Sequence, residues 1–164
     1  MRRGDLGPLV AALRGPVETF VREAKVRVAL LVNGSGQILA QHGLTSSYEV
    51  ANVASLAAAA HASARALAGL TGAERWTHLH HAGRTRQLFL APFRTPAEEL
   101  ILVAIFDEDS SLGLVGVFFE QFARTVAALP EFSLRGPEVT AESFEQELEA
   151  GLRHVLPPEW LDEG

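Results

Sequence analysis

Residues 46–70 read SSYEVANVASLAAAAHASARALAGL, and the rest of the chain must supply what this stretch needs. Ser46 with Glu49 three residues later is a capping box, in which each side chain satisfies an otherwise unpaired amide at a helix start. Alanine, the best helix former, fills most of the remaining positions, so the pattern predicts one long helix ended by Gly69 or Gly72. Val50, Val53, Ala57, Ala60, Ala64 and Leu67 fall on one stripe, the spacing of a face laid on a core. That face needs a sheet beneath it. The rest of the circumference carries Asn52, Ser55, Ala59, Ala62, Ser63 and Ala66, and the only formal charges in the run are Glu49 and Arg65. A solvated helix would carry more charge, and small side chains let a second backbone come close. The helix is therefore expected between its own sheet and a partner. A helix wholly buried in one large domain fits a chain of 164 residues poorly.

On the N-terminal side, residues 5–24 place Leu9, Leu13, Val17, Phe20 and Val21 on one helical face, with Gly15-Pro16 expected to kink or split the run. From Lys25 the period changes to two. Val26, Val28, Leu30 and Val32 share a face, Asn33-Gly34-Ser35-Gly36 supplies turn residues, and residues 37–42 resume extended character, which together predict a hairpin. On the C-terminal side, Trp76–Ala82, Thr85–Phe93 and Leu100–Phe106 read as a three-stranded meander broken at Gly83 and at Arg94-Thr95-Pro96. The last strand is apolar on both faces, as a central strand should be, whereas Trp76–His81 is mixed and suits an edge. A helix then runs to Leu129 and stops at Pro130. The predicted architecture is α+β, a five-stranded antiparallel sheet flanked by helices in the order α-β-β-α-β-β-β-α, occupying residues 1–130. Residues 131–164 read as a linker containing Gly136-Pro137 and an acidic amphipathic C-terminal helix capped by Thr140. Phe144, Leu148, Leu152 and Val155 line one stripe of that helix, which predicts that it docks on something.

Charge is placed unevenly. Residues 1–137 hold thirteen basic and twelve acidic side chains, and residues 138–164 hold one and eight. A near-neutral body with an acidic tail offers no basic stripe for phosphates, which argues against nucleic-acid binding. The chain has no cysteine, which excludes disulfides and cysteine-ligated metals. The N-terminal Met-Arg-Arg is not followed by an unbroken apolar run, and no run is expected to reach the roughly 18 apolar residues of a membrane span. A cytoplasmic protein is expected.

Little chemistry emerges. No nucleophile elbow and no Walker-type phosphate loop occurs, so no catalytic residue and no cofactor is assigned. His78, His80 and His81, with His42 or His61, are the best metal candidates, but no carboxylate is spaced to complete a shell and an edge strand accommodates histidine as an ordinary amphipathic residue. No metal is expected. Arg65, Arg75, Arg84 and Arg86 could enter a partner's active site as trans arginines, with surface ion pairing the stronger reading.

Val103-Ala-Ile-Phe-Asp107 followed by Ser110-Ser-Leu-Gly-Leu-Val115, and Leu31–Ala40 in the first hairpin, resemble the roadblock domain family over about residues 16–129, most closely its bacterial MglB-type members. The residues after that second motif, Gly116, Val117, Phe118 and Phe119, are greasier than the basic residues those relatives carry. The resemblance implies one helix on one sheet face and two on the other, with homodimers pairing through the long central helix and an edge strand. It also implies binding to a Ras-like small GTPase of the MglA type and stimulation of its GTP hydrolysis or nucleotide exchange, by repositioning the GTPase's own groups, in cell polarity or motility. The expected interface residues are Asn52, Ser55, Ala59, Ala62, Ser63, Arg65 and Ala66 on the helix, and Trp76, His78 and His80 at the edge. The alternatives are a roadblock scaffold without GTPase regulation and a ligand sensor of the profilin or PAS/GAF kind. A sensor requires a cavity with inward polar groups, and the inward strand positions here are Val, Leu, Ile and Phe.

Overall fold

The computed structural model describes residues 6–44, 46–72 and 76–133. Pro8 opens α1 (Gly7–Ala24), and Leu9, Leu13, Val17, Phe20 and Ala24 are buried along one side of it. Of the kink or split expected at Gly15-Pro16, the split does not occur, and the helix runs through Pro16. An internal proline costs about 3 kcal/mol, and several large side chains at about 1.5–3 kcal/mol each hold the flanking turns on one core. Lys25 ends the helix in the left-handed region at φ 54°.

Strands β1 (Val28–Asn33) and β2 (Ile38–His42) form the expected hairpin. Asn33 builds its turn: the side-chain carbonyl accepts from the Ser35 and Gln37 backbone amides, and the side-chain amide donates to Gln37 Oε1. Gly43 follows at φ +87°, where a Cβ would sit 2.1 Å from the Arg27 carbonyl oxygen, so only glycine fits.

Helix α2 (Ser47–Thr71) begins with the Ser46 hydroxyl accepting from the Glu49 amide at 3.1 Å, and ends on left-handed Gly72, whose N–H returns to Ala68 O. Strands β3 (Leu79–Ala82), β4 (Gln87–Arg94) and β5 (Glu99–Phe106) follow, then α3 (Leu112–Ala127) and the single turn α4 (Pro130–Ser133). The sheet order is β2-β1-β5-β4-β3, with every neighbouring pair antiparallel. β5 is central and β3 is an edge, as expected, although β3 begins at Leu79 and not at Trp76. β1 is buried on both faces, because Ala29 and Leu31 lie in the core under α1 and α3 while Leu30 and Val32 lie under α2; the single apolar face expected for it understated its position.

Alternation divides the sheet. Ala29, Leu31, Leu100, Leu102, Ala104 and Phe106 face α1 and α3, while Leu30, Val32, Leu90, Ile101 and Val103 face α2. Two helices thus cover one face and one covers the other. Phe132 on α4 is fully buried in the α1–α3 core, so the packed body extends past Pro130 into what the sequence read as linker. The Phe144, Leu148, Leu152 and Val155 stripe lies outside the described residues.

The Asp107–Val115 segment has a clear structural reason for its residues. The Asp107 carboxylate accepts from the Arg27 guanidinium and from the Asp109 amide, Asp109 also pairs with Arg27, the Ser110 hydroxyl donates to Ala24 O, and the Ser111 hydroxyl caps α3 at the Leu114 amide. The Asp109 N–H first, and Arg27 second, hold the Asp107 carboxyl below its usual range. One loop therefore joins β5, the end of α1 and the start of α3.

Candidate partner face and the cleft beside it

Among the described residues, only one side of α2 is covered. Ala54, Ala57 and His61 are buried on the sheet, with Val50, Val53 and Ala60 packed beside them. The stripe expected to face inward ended in Leu67, which is 62% exposed. The correction is geometric: residues repeated at a seven-residue spacing drift about 20° per heptad around a straight helix, so the inward line passes from Ala57 to His61, and Leu67 turns outward. Alanine on all sides gave no contrast by which to see the drift.

The outward side is apolar and bare. Asn52, Ser55, Ala59, Ala62, Ser63 and Ala66 are all exposed, and Leu56 and Leu70, at 70% and 84% exposure, share that side. Among the described residues, Glu49–Thr71 is long and apolar enough by length and composition to cross a membrane, contrary to expectation. Alanine raises its mean hydropathy without supplying large side chains, and its inner face lies on a sheet with a histidine and an arginine tied to a glutamate.

Arg65 stands apart from the small residues. One turn beyond His61, it flanks the inward line and approaches Glu99 Oε1 at 3.8 Å. His61 Nε2 meets the same oxygen at 2.6 Å, so Glu99 at the start of β5 holds the C-terminal half of α2. Trp76, expected on the edge strand, lies before β3 and packs on the α2 side, its ring 5.4 Å from that of His61. Arg94 faces Glu99 in the β4–β5 register. With Pro92, these residues line a cleft of about 260 Å³. Among the described residues, two buried atoms of side chains that line it, His61 Nδ1 and Trp76 Nε1, have no hydrogen-bond partner, an arrangement that costs about 1–3 kcal/mol per atom.

The sequence reading missed this convergence. Inward positions along the strands are indeed aliphatic, but the polar groups come from α2 and from the ends of β4 and β5. The available signal was His61 itself, four residues beyond Ala57 on the inward line.

His78 and His80 point to the other side of the sheet, as their spacing required. His78 stacks on Phe89, and His80 stacks on Phe106 and hydrogen-bonds Gln87 Oε1 at 2.7 Å. They are separated from Trp76 by the sheet. Among the described residues no three His, Cys, Asp or Glu side chains are placed to hold a metal. Arg84 and Arg86 lie exposed in the β3–β4 turn, and Arg75 lies outside the described residues.

The sequence profile of the Roadblock/LC7 domain matches residues 17–106, from α1 through β5. Among solved structures, MglB of Myxococcus xanthus superposes with a TM-score of 0.65 at 26% identity, covering 73% of this chain and 94% of that one. The gliding protein MglB of Thermus thermophilus gives 0.63 at 27% identity, covering 74% and 90%. An MglB in a tetrameric arrangement gives 0.61 at 28% identity, covering 76% and 89%. A sequence comparison with curated proteins finds no match.

Proposed function

Because this chain belongs to the Roadblock/LC7 domain family, we propose that it is a homodimeric regulator of a bacterial Ras-like small GTPase of the MglA type, acting in the cytoplasm in polarity or motility. The observation that carries this reading is the outer face of α2, a run of small residues with Leu56, Leu67 and Leu70 standing in solvent. A two-fold pairing of two such faces buries those leucines, and small side chains allow the two backbones to approach. Likeness to MglB structures supports the partner class.

The sequence holds no nucleophile elbow and no Walker-type phosphate loop, which supports a regulator that contributes by positioning groups the GTPase already owns. Arg65 supports that mechanism through its place beside Glu99, which gives it an occupation other than insertion into a partner's site. The C-terminal segment with Phe144, Leu148, Leu152 and Val155 serves as a docking arm on the GTPase or on the dimer.

Phosphate release from the cognate GTPase, measured under single turnover with and without this protein, tests the reading, with labelled-nucleotide release measured in parallel to separate activation from exchange. The protein alone should turn over no GTP, and its addition should raise one of the two rates. If both rates are unchanged and no complex forms, the proposal fails. Arg65→Ala should retain most of the stimulation; loss of several orders of magnitude, the size of an arginine-finger effect, would replace positioning with insertion. Truncation after Arg135 should leave the body folded while weakening GTPase binding.

A further inference from the structure

The geometry points to the α2 cleft as a binding site for a small carboxylate that carries a hydrogen-bond donor beside its carboxyl group, the α-hydroxy or α-amino acid class. Three observations converge on that chemistry, none of which depends on GTPase regulation. The first is charge: Arg65 and Arg94 face the cleft with Glu99 as the one carboxylate among the described lining residues, and guanidinium groups match a planar carboxylate two bonds at a time.

The second is the unpartnered pair. Glu99 occupies His61 Nε2, so in the neutral ring Nε2–H donates to the carboxylate and Nδ1 is left as an acceptor, and among the described residues neither it nor the Trp76 Nε1–H donor has a partner. The His61 side chain is 7% exposed. A ligand that brings both a donor and an acceptor can satisfy both, the two rings lying 5.4 Å apart. Both nitrogens are sealed from water, so the ligand reaches them by turning the half-buried Trp76 indole away from His61.

The third is size. About 260 Å³ far exceeds the room one water needs and falls below the roughly 300–1,000 Å³ of sites for drug-sized ligands. The cleft suits a molecule of a few carbons, with Pro92 and Ala68 as its apolar wall.

The test uses the full chain carrying Trp160→Phe, which leaves Trp76 as the sole tryptophan. Its fluorescence is followed during titration with glycolate, L-lactate and L-alanine, and with acetate and inorganic phosphate as comparators. At least one of the first three should give a saturable change, at least about tenfold tighter than acetate or phosphate. Arg65→Gln and Arg94→Gln, both at exposed positions, should each weaken it about tenfold with thermal melts unchanged. His61→Gln should remove the preference over acetate. No saturable change with any of the three, an equal response to acetate or phosphate, or affinity undiminished in both arginine variants overturns the site.

Discussion

The two faces of the sheet are closed by different means. On one, α1, α3 and α4 bring Phe20, Phe122 and Phe132 down on Phe106 and the β-strand leucines, with ring contacts such as Phe20–Phe122 at 5.5 Å and Phe93–Phe122 at 5.8 Å. On the other, α2 offers Ala54 and Ala57 and is held at its far half by His61 on Glu99, with the exposed Arg65 at 3.8 Å from the same oxygen. Large interdigitating side chains give the first face most of its burial, and burial of that kind sets stability. Small side chains give the second face less grip but leave a helix whose outer side is available. The molecule keeps its large-side-chain packing on one side of the sheet and the surface proposed for recognition on the other.

Four measurements would break or sharpen that contrast. The largest effect is expected from Phe106→Ala, which should cost about 3–5 kcal/mol in urea denaturation, against about 1 kcal/mol for Ala57→Gly in the middle of α2. Equal losses would erase the asymmetry. Next, Ser46→Ala removes the α2 cap and should cost about 1 kcal/mol, without disturbing far-UV CD of the remaining body. Smaller still is the stability effect of Ala59→Glu, within about 0.5 kcal/mol for an exposed site, yet light scattering should show the proposed dimer reduced to monomers. An unchanged mass would move the interface off this face.

The last measurement concerns acid. The Asp107 carboxyl is held below its usual range in the folded state, so its contribution is complete above the unfolded value, near pH 4, and is lost as pH falls further through the depressed folded value. Asp107→Asn should flatten the acid limb of the stability profile and leave the α2 cleft unaltered.

Element order was legible because caps and periods agree: Ser46 and Gly72 bound α2, Asn33 and Gly36 mark the first turn, and Ser111 starts α3 after a strand apolar on both faces. What escaped depended on distance in sequence. Pro16 looked like a break because a local rule carries no knowledge of the Leu9, Leu13, Val17 and Phe20 packing that overrides it. Phe132 looked like linker because its burial is created by α1. The cleft was hidden for the same reason: His61, Trp76, Arg94 and Glu99 belong to four segments, and only the β4–β5 register and the lie of α2 bring them together. The outer face of α2 was visible in advance because absence of charge over a long helix is itself a local signal.

The sheet order also bears on how fast the chain folds. The β1–β2 hairpin and the β3–β4–β5 meander each form from neighbouring residues, but they are joined by the β1–β5 seam, which pairs Val28 with Ile105 and Asn33 with Leu100. α2 lies in the connection between the two halves, so closing the seam means closing a loop that contains the whole helix, and the entropy of that closure comes before any contact across the seam can repay it. Closing this long-range seam is therefore the step expected to limit the folding rate. Amides of β1 and β5 should exchange only through global unfolding, while those of the exposed β3 edge exchange through local opening.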